Sequence, residues 1–134
     1  MSDHRPDQPA DVLVVDGANV VGSRPDGWWK DREGAARRLH EQLYAAPLAA
    51  DVVVLVLEGR AKGGVPEGLY GPSASGALHR VVHAPGEGDP EIARQAALAV
   101  QGGSSVVVVT ADRALAEQVA PAQVQGPGWL RARL

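Results

Sequence analysis

Unbroken apolar runs alternate along the chain with segments in which apolar residues recur at helical spacing. Runs of β-branched character at residues 12–15, 52–57 and 106–109 predict strands of a parallel sheet, because such strands are buried on both faces. We predict two shorter strands at residues 80–83 and 122–124.

The helical segments lie between these strands. In residues 31–46, Leu39 and Leu43 share an apolar face, Asp31 is placed to cap the helix start, and Pro47 stops the helix. Further helices are predicted at residues 89–100 and 114–119, with a terminal helical turn at 129–134.

The regular alternation of strand and helix is typical of right-handed βαβ units. It predicts an α/β domain, a three-layer sandwich around a central, mostly parallel sheet of about five strands. Two connections are unusually long. Residues 16–31 link the first strand to its helix, and the Gly-, Pro- and Ser-rich residues 59–76 show no period, so we expect a structureless connection there, serving as a lid, a binding loop or a mobile segment.

The composition suits one domain. The chain has 134 residues, 45% of them apolar and none a cysteine, so disulfides and thiolate metal sites are excluded. We expect a disordered arm at residues 1–10 and a single domain at 11–134. The polar start and the short apolar runs predict a soluble, cytoplasmic protein with no membrane association.

A formal net charge of −3 argues against a generally basic surface that coats nucleic acid. It is compatible with an enzyme that acts on nucleic acid, because acidic metal ligands contribute negative charge while individual arginines bind phosphates. Charge alone therefore leaves the substrate open.

Carboxylates follow the predicted strands. Asp16, Glu58 and Asp112 stand at or just after strand ends, and Asp89 opens a helix. The carboxyl ends of parallel strands meet at one edge of a sheet, where ligands bind. Acids gathered there repel one another and require a cation. Their hard oxygen atoms favour Mg²⁺ or Mn²⁺.

Each of these acids also has a purely structural interpretation. Asp16 precedes a glycine and is a candidate turn former, Asp112 is a candidate helix cap, and one acid after a strand, like Glu58, is ordinary. Asp89 precedes a proline and is predicted to be the N-cap of its helix. Glu87 is a further candidate ligand beside it.

Three segments resemble a known family in order and spacing. They are VVDGANVVG at residues 14–22, GDPEIA at 88–93 and VVVTADR at 107–113. The first resembles the Asp-Gly-x-Asn motif of the NYN domains, the branch of the PIN-like nuclease superfamily that includes the YacP-like proteins. The resemblance implies a PIN-like fold and a ribonuclease that depends on Mg²⁺ or Mn²⁺.

Carried over by position, the resemblance implies roles for five residues. Asp16, Asp89 and Asp112 would be metal ligands in the catalytic site. Asn19 would orient Asp16 or bind substrate, and Thr110 would support the metal ligands. YacP-like members have Glu-Thr-Ala-Asp where this chain has residues 86–89, so the role of Glu87 is left open.

Basic and aromatic residues near the predicted site are candidates for substrate binding. Arg24, Lys30 and Arg113 are placed to hold phosphates, and Arg113 directly follows an acid of the site. Trp28 is either a platform on which a base of single-stranded RNA stacks or an apolar anchor for its loop.

The sequence thus predicts a metal-dependent endoribonuclease with RNA as its substrate. Two alternatives stay open. One is a nucleotide phosphohydrolase that uses the same acidic site, and the other is a non-catalytic module that binds RNA or a protein partner. We also expect that a second copy of the chain or another partner completes the nucleic-acid track.

Overall fold

A computed structural model describes residues 10–134. The strands are β1 (Ala10–Asp16), β2 (Ala50–Leu57), β3 (Gly68–Tyr70), β4 (Leu78–His83), β5 (Val106–Val109) and β6 (Gln123–Gln125). The helices are α1 (Gly17–Val21), α2 (Arg32–Ala45), α3 (Gly88–Gln101), α4 (Arg113–Gln118) and α5 (Pro127–Arg131). The arm predicted at residues 1–10 lies outside the described residues except for its last, Ala10, which begins β1.

The six strands form one sheet in the order β3-β4-β2-β1-β5-β6. Every neighbouring pair is parallel except β3 and β4, which are antiparallel. In the centre, Val14 lies between Val54 of β2 and Val108 of β5. The carboxyl ends of β1 and β5, which carry the predicted acids, are therefore side by side.

Alternate residues of each strand face opposite sides of the sheet and build two separate cores. On one side, Leu13 and Leu55 pack with Leu43 of α2 and Leu130 of α5. On the other side, Val14, Val54 and Val56 pack with Ile92 and Ala96 of α3 and Leu115 of α4. Two helical layers thus enclose the sheet, which confirms the predicted three-layer α/β fold.

The helix predicted at residues 31–46 is α2. Its predicted cap is confirmed, because the Asp31 carboxylate accepts a hydrogen bond of 2.9 Å from the Gly34 N–H. At 14 residues each, α2 and α3 are the longest helices of the described chain. None of the helices in residues 10–134 has the length and apolar character needed to cross a bilayer.

The Gly-rich connection at residues 59–76 is not structureless. It forms a 3₁₀ helix at Gly59–Gly64 and then β3, an edge strand absent from the predicted set. Contacts distant in sequence fix it: Lys62 Nζ donates to the Ala84 carbonyl at 3.0 Å, and a His83 ring nitrogen lies 2.7 Å from the Val65 carbonyl oxygen. Contacts of this kind leave no periodic pattern of apolar residues in the segment itself.

The long first connection holds α1 and a 3₁₀ turn at Trp28–Lys30. Gly17 allows α1 to begin against the sheet, because a Cβ at that position would lie 2.7 Å from the Val56 carbonyl oxygen. The short helix thereby brings Asn19 back toward the end of β1.

Candidate functional site

Asp16 is the last residue of β1 and the N-cap of α1. Its Oδ1 accepts a hydrogen bond of 3.2 Å from the Asn19 N–H. Its Oδ2 accepts one of 2.9 Å from Asn19 Nδ2 and one of 2.8 Å from Thr110 Oγ1. Asp16 is only 2% exposed, so these donors take the place of water around a buried carboxylate.

Asn19 and Thr110 each join Asp16 to the end of β5. Asn19 Oδ1 accepts a hydrogen bond of 3.1 Å from the Ala111 N–H. The Thr110 hydroxyl donates to Asp16 and accepts a hydrogen bond of 3.1 Å from the Asp112 N–H. Residues more than 90 positions apart are thus held in one network, and the Asp-Gly-x-Asn and Thr-x-Asp motifs supply all of its side chains.

Asp112 is the N-cap of α4, as the structural interpretation of this residue predicted. Its Oδ1 accepts a hydrogen bond of 3.0 Å from the Leu115 N–H. That bond, followed by a hydrogen bond from Asp89, lowers the pKa of Asp112. Capping a helix leaves the second oxygen of Asp112 available to other groups, so the capping role and a role in the site are compatible.

Asp89 stands against Asp112 across the edge of the sheet. Burial, followed by the hydrogen bond and the negative charge of Asp112, raises the pKa of Asp89 to about 6. Two carboxyl groups form a hydrogen bond only when one of them carries a proton. The pair therefore holds a proton below about pH 6, which relieves the repulsion between the two groups there.

The negative charges of Asp16 and Glu58 also act on Asp89. Burial is the largest cause that raises the pKa of Asp16, opposed by its hydrogen bonds to Thr110 and Asn19 and reinforced by the charge of Asp112. Four predicted acids thus share one electrostatic environment at the carboxyl edge of the sheet.

The predicted N-cap role of Asp89 is wrong. The N-cap is Glu87, two positions earlier, and α3 starts at Gly88. The Asp89 side chain is directed to Asp112, while Pro90 falls in the first turn, where its missing N–H costs no helical hydrogen bond. Glu87 is exposed, and its side chain makes no capping hydrogen bond.

Of the predicted substrate-binding residues, the structure brings Arg113 and Trp28 to this edge. Arg113 is exposed at the start of α4, and Arg24 and Lys30 are exposed on the first connection. Trp28 is partly buried, with the Arg32 guanidinium 5.4 Å from its ring centroid. With Gly17, Glu58 and Gly59 it lines a cavity of about 140 Å³ next to the acidic residues.

A divalent cation was predicted from the residue types, and the donor set agrees with it in chemistry. The acids supply only oxygen ligands, which suit Mg²⁺ or Mn²⁺, and the negative charges of Asp112, Asp16 and Glu58 all raise the pKa of Asp89. As the side chains stand, however, residues 10–134 contain no group of three or more Asp, Glu, His or Cys that could hold a metal ion. Binding would require these side chains to move together.

Two arginines beside the first connection escaped the sequence analysis. Arg131 of α5 donates from Nε to Ser23 Oγ at 2.9 Å and from Nη2 to the Val20 carbonyl at 2.7 Å. Arg38 of α2 lines the same cavity as Arg131 and Arg24. Contacts across more than 100 residues leave no signal in the local sequence.

The sequence matches no protein-family model and no curated protein. In structure, the chain is similar to a mutant of Rae1 (YacP) from Bacillus subtilis, with a TM-score of 0.65 and 20% sequence identity. The similarity covers 91% of this chain and 74% of the Rae1 chain. The predicted resemblance is thereby confirmed at the level of the fold: the chain shares the α/β fold of this Rae1 (YacP) structure.

Proposed function

We propose that this protein is a metal-dependent ribonuclease that hydrolyses RNA phosphodiesters at the carboxyl edge of its sheet. The observation that carries the proposal is the network around Asp16, in which the motif residues Asn19 and Thr110 hold a buried carboxylate beside Asp89 and Asp112. This arrangement occurs on a fold shared with a YacP protein, and the sequence motifs resemble those of the YacP-like nucleases.

Asp16, Asp89 and Asp112 would hold the cation, with Glu58, whose charge also acts on Asp89, as an additional acid. A bound Mg²⁺ or Mn²⁺ would supply a Lewis acid and lower the pKa of a coordinated water. In the hydrolysis, the oxygen of a water molecule forms a bond to phosphorus while the bond to the leaving ribose oxygen breaks, and the leaving oxygen takes up a proton.

The surrounding residues contribute orientation. Asn19 and Thr110 fix the direction of the Asp16 carboxylate before substrate binds, which avoids reorganisation during the reaction. The Thr110 hydroxyl also fixes the backbone at Asp112. Arg113, on the exposed start of α4, is placed to neutralise a phosphate beside Asp112.

RNA is favoured over a free nucleotide by the position of residues 59–64. This segment packs against α2, where a Cβ at Gly64 would meet the Glu33 backbone, and Lys62 donates a hydrogen bond to the Ala84 carbonyl. A segment held in this way is not free to close over a small substrate. The cavity beside Trp28, about 140 Å³, is suited to part of a longer chain.

A second candidate is a non-catalytic module that binds RNA. It is favoured by one observation, that every hydrogen bond of Asp16 joins α1 and β5 to the end of β1. A carboxylate retained only for that purpose would have a structural role. The two candidates differ in whether the phosphodiester is cleaved.

The test uses the whole protein with labelled single-stranded RNA, structured RNA and free nucleotides, in Mg²⁺, Mn²⁺ or EDTA. We expect cation-dependent cleavage of RNA, abolished by Asp16→Asn and reduced roughly 10- to 100-fold by Thr110→Val. Asp51→Asn is the matched control, because Asp51 is an exposed acid at the opposite end of the sheet. Equal activity of Asp16→Asn and wild type, or no cleavage in either metal, would overturn the ribonuclease proposal.

A further inference from the structure

A basic cavity lies at the carboxyl-terminal end of α1, the end opposite Asp16. It has a volume of about 80 Å³ and lies between the segment that follows α1, helix α2 and helix α5. Its polar lining consists chiefly of Arg24, Arg38 and Arg131, with Trp28 as an aromatic wall. We call it the arginine pocket. No step of the proposed hydrolysis uses it.

The arginine pocket has an excess of positive charge. Asp26 is the single acid among its lining residues, and within residues 10–134 none of the three arginines forms an ion pair. Burial, followed by repulsion from Arg24, lowers the pKa of Arg131. The charge of Asp26 opposes this shift, but three guanidinium groups beside one carboxylate leave a net positive charge, which favours the binding of an anion.

Arg131 is held in place before any ligand binds. Two of its five N–H donors are used, one on Ser23 Oγ and one on the Val20 carbonyl. Because these bonds fix the plane of the guanidinium, the remaining donors have a defined direction. A fixed fork of donors matches the tetrahedral oxygens of a phosphate, and little side-chain entropy is lost on binding.

The arginine pocket and the acidic edge are at opposite ends of α1. Asp16 caps the first turn of this helix, and Arg131 binds a carbonyl of its last turn, at Val20. Five helical residues span about 7 Å at 1.5 Å per residue, which is close to the spacing of neighbouring phosphates along an extended single strand. Trp28 lines both the arginine pocket and the cavity beside the acids, so it separates the two.

We infer that the arginine pocket binds a phosphate group of the RNA strand next to the bond at the acidic edge, with Trp28 contacting the nucleotide between the two. The inference rests on the proposed function for the identity of the strand. It assigns a substrate-positioning role to Arg24, Arg38 and Arg131, and it makes single-stranded RNA the substrate class, because an extended strand can engage both ends of α1.

Binding is measured by fluorescence anisotropy with a short, labelled single-stranded RNA, in EDTA so that the strand stays intact. The variant carries Arg24→Ala and Arg38→Ala, both at exposed positions. Arg131 is kept, because its bonds to α1 are part of the fold. Arg37→Ala is the matched control, since Arg37 neighbours Arg38 on α2, is exposed, and does not line the arginine pocket.

We expect the double variant to raise Kd roughly fivefold to tenfold at low salt. We also expect the slope of log K against log salt to become shallower by about 0.7, the value for one phosphate contact to a single strand. Arg37→Ala should leave both quantities close to wild type. An equal loss in Arg37→Ala and the double variant, or no loss in either, would overturn the inference.

Titration with inorganic phosphate and with a nucleoside monophosphate distinguishes the source of the phosphate. Competition with RNA that disappears in the double variant supports the inference. Arginine-dependent binding of free phosphate, with RNA affinity unchanged by the double variant, would overturn it in favour of a site for a small anion. Cleavage that depends on Asp16 but not on these arginines would overturn the inference and leave the ribonuclease proposal intact. Arginine-dependent RNA binding without cleavage would support the inference and overturn the ribonuclease proposal.

Discussion

Replacing Asp89 with Asn is expected to stabilise the protein above pH 6 while removing a residue of the proposed active site. The pKa of Asp89 is raised from 3.8 to about 6 by burial and by Asp112. Between these two pH values the folded protein binds more protons than the unfolded chain, so the free energy of unfolding falls as the pH rises. Above about pH 6 Asp89 is charged, and this loss of stability is complete. Asn carries no charge, so the variant does not lose stability in this way.

The size of the effect follows from the pKa. A rise of about 2 units corresponds to about 3 kcal/mol at most, and screening by solvent at this partly exposed position reduces it to about 1–2 kcal/mol. Loss of a favourable charge at the start of α3 offsets about 0.5 kcal/mol of that. The Asn amide can donate to Asp112 as protonated Asp89 does, so the hydrogen bond between the two side chains is retained.

The assay is urea unfolding of the whole protein in EDTA at pH 4 and pH 8. We expect Asp89→Asn to match wild type at pH 4 and to exceed it by roughly 1 kcal/mol at pH 8. Glu87→Gln is the control, because it removes an exposed acid from the same helix start and should show no gain at pH 8. A stability difference that is the same at both pH values would refute the argument. Added Mg²⁺ should then stabilise wild type more than Asp89→Asn, if the acids bind it.

Three further outcomes are expected. Thr110→Val, which removes the hydroxyl between Asp16 and Asp112, should lower the free energy of unfolding by about 2–4 kcal/mol, and Thr110→Ser by about 1 kcal/mol, in the same urea assay; equal losses would show that the hydroxyl is unimportant. Gly64→Ala should lower the free energy of unfolding by about 1–3 kcal/mol, because its methyl group would meet the Glu33 backbone. Gly71→Ala, where the added methyl group would lie in open space, should lower it by under 1 kcal/mol. Similar thermal midpoints for the two variants would contradict this. Burial lowers the pKa of both His40 and His79. The unfolded chain therefore binds more protons than the folded protein as the pH falls below about 6.5, and the free energy of unfolding should drop there. His79→Gln should weaken that pH dependence, and an unchanged profile would contradict the argument.

The strands and the acids at their ends could be predicted because their signals are local. A run such as residues 52–57, apolar at every position, is buried on both faces wherever it lies in a parallel sheet. An acid that follows such a run must then lie at the carboxyl edge. Sheet order was not needed for this inference, since parallel strands share that edge in any order.

The elements that were missed depend on contacts distant in sequence. β3 has three residues and pairs with β4, which is too short for a period of two to be visible. α1 has five residues, fewer than an amphipathic pattern requires. The arginine pocket was missed for the same reason, because Arg131 reaches a carbonyl 111 residues earlier in the chain.

The hydrogen bonds of Asp16 also bear on which cation the site would prefer. A carboxylate has about four acceptor positions, and Asp16 uses one on Oδ1 and two on Oδ2. One position remains, so Asp16 could bind a cation through Oδ1 alone. Asp112 likewise uses Oδ1 to cap α4. Ca²⁺ prefers six to eight oxygen ligands, often with bidentate carboxylates, whereas Mg²⁺ keeps several waters and needs only one or two protein carboxylates. The bonds that hold the fold together at this edge therefore favour the smaller ion.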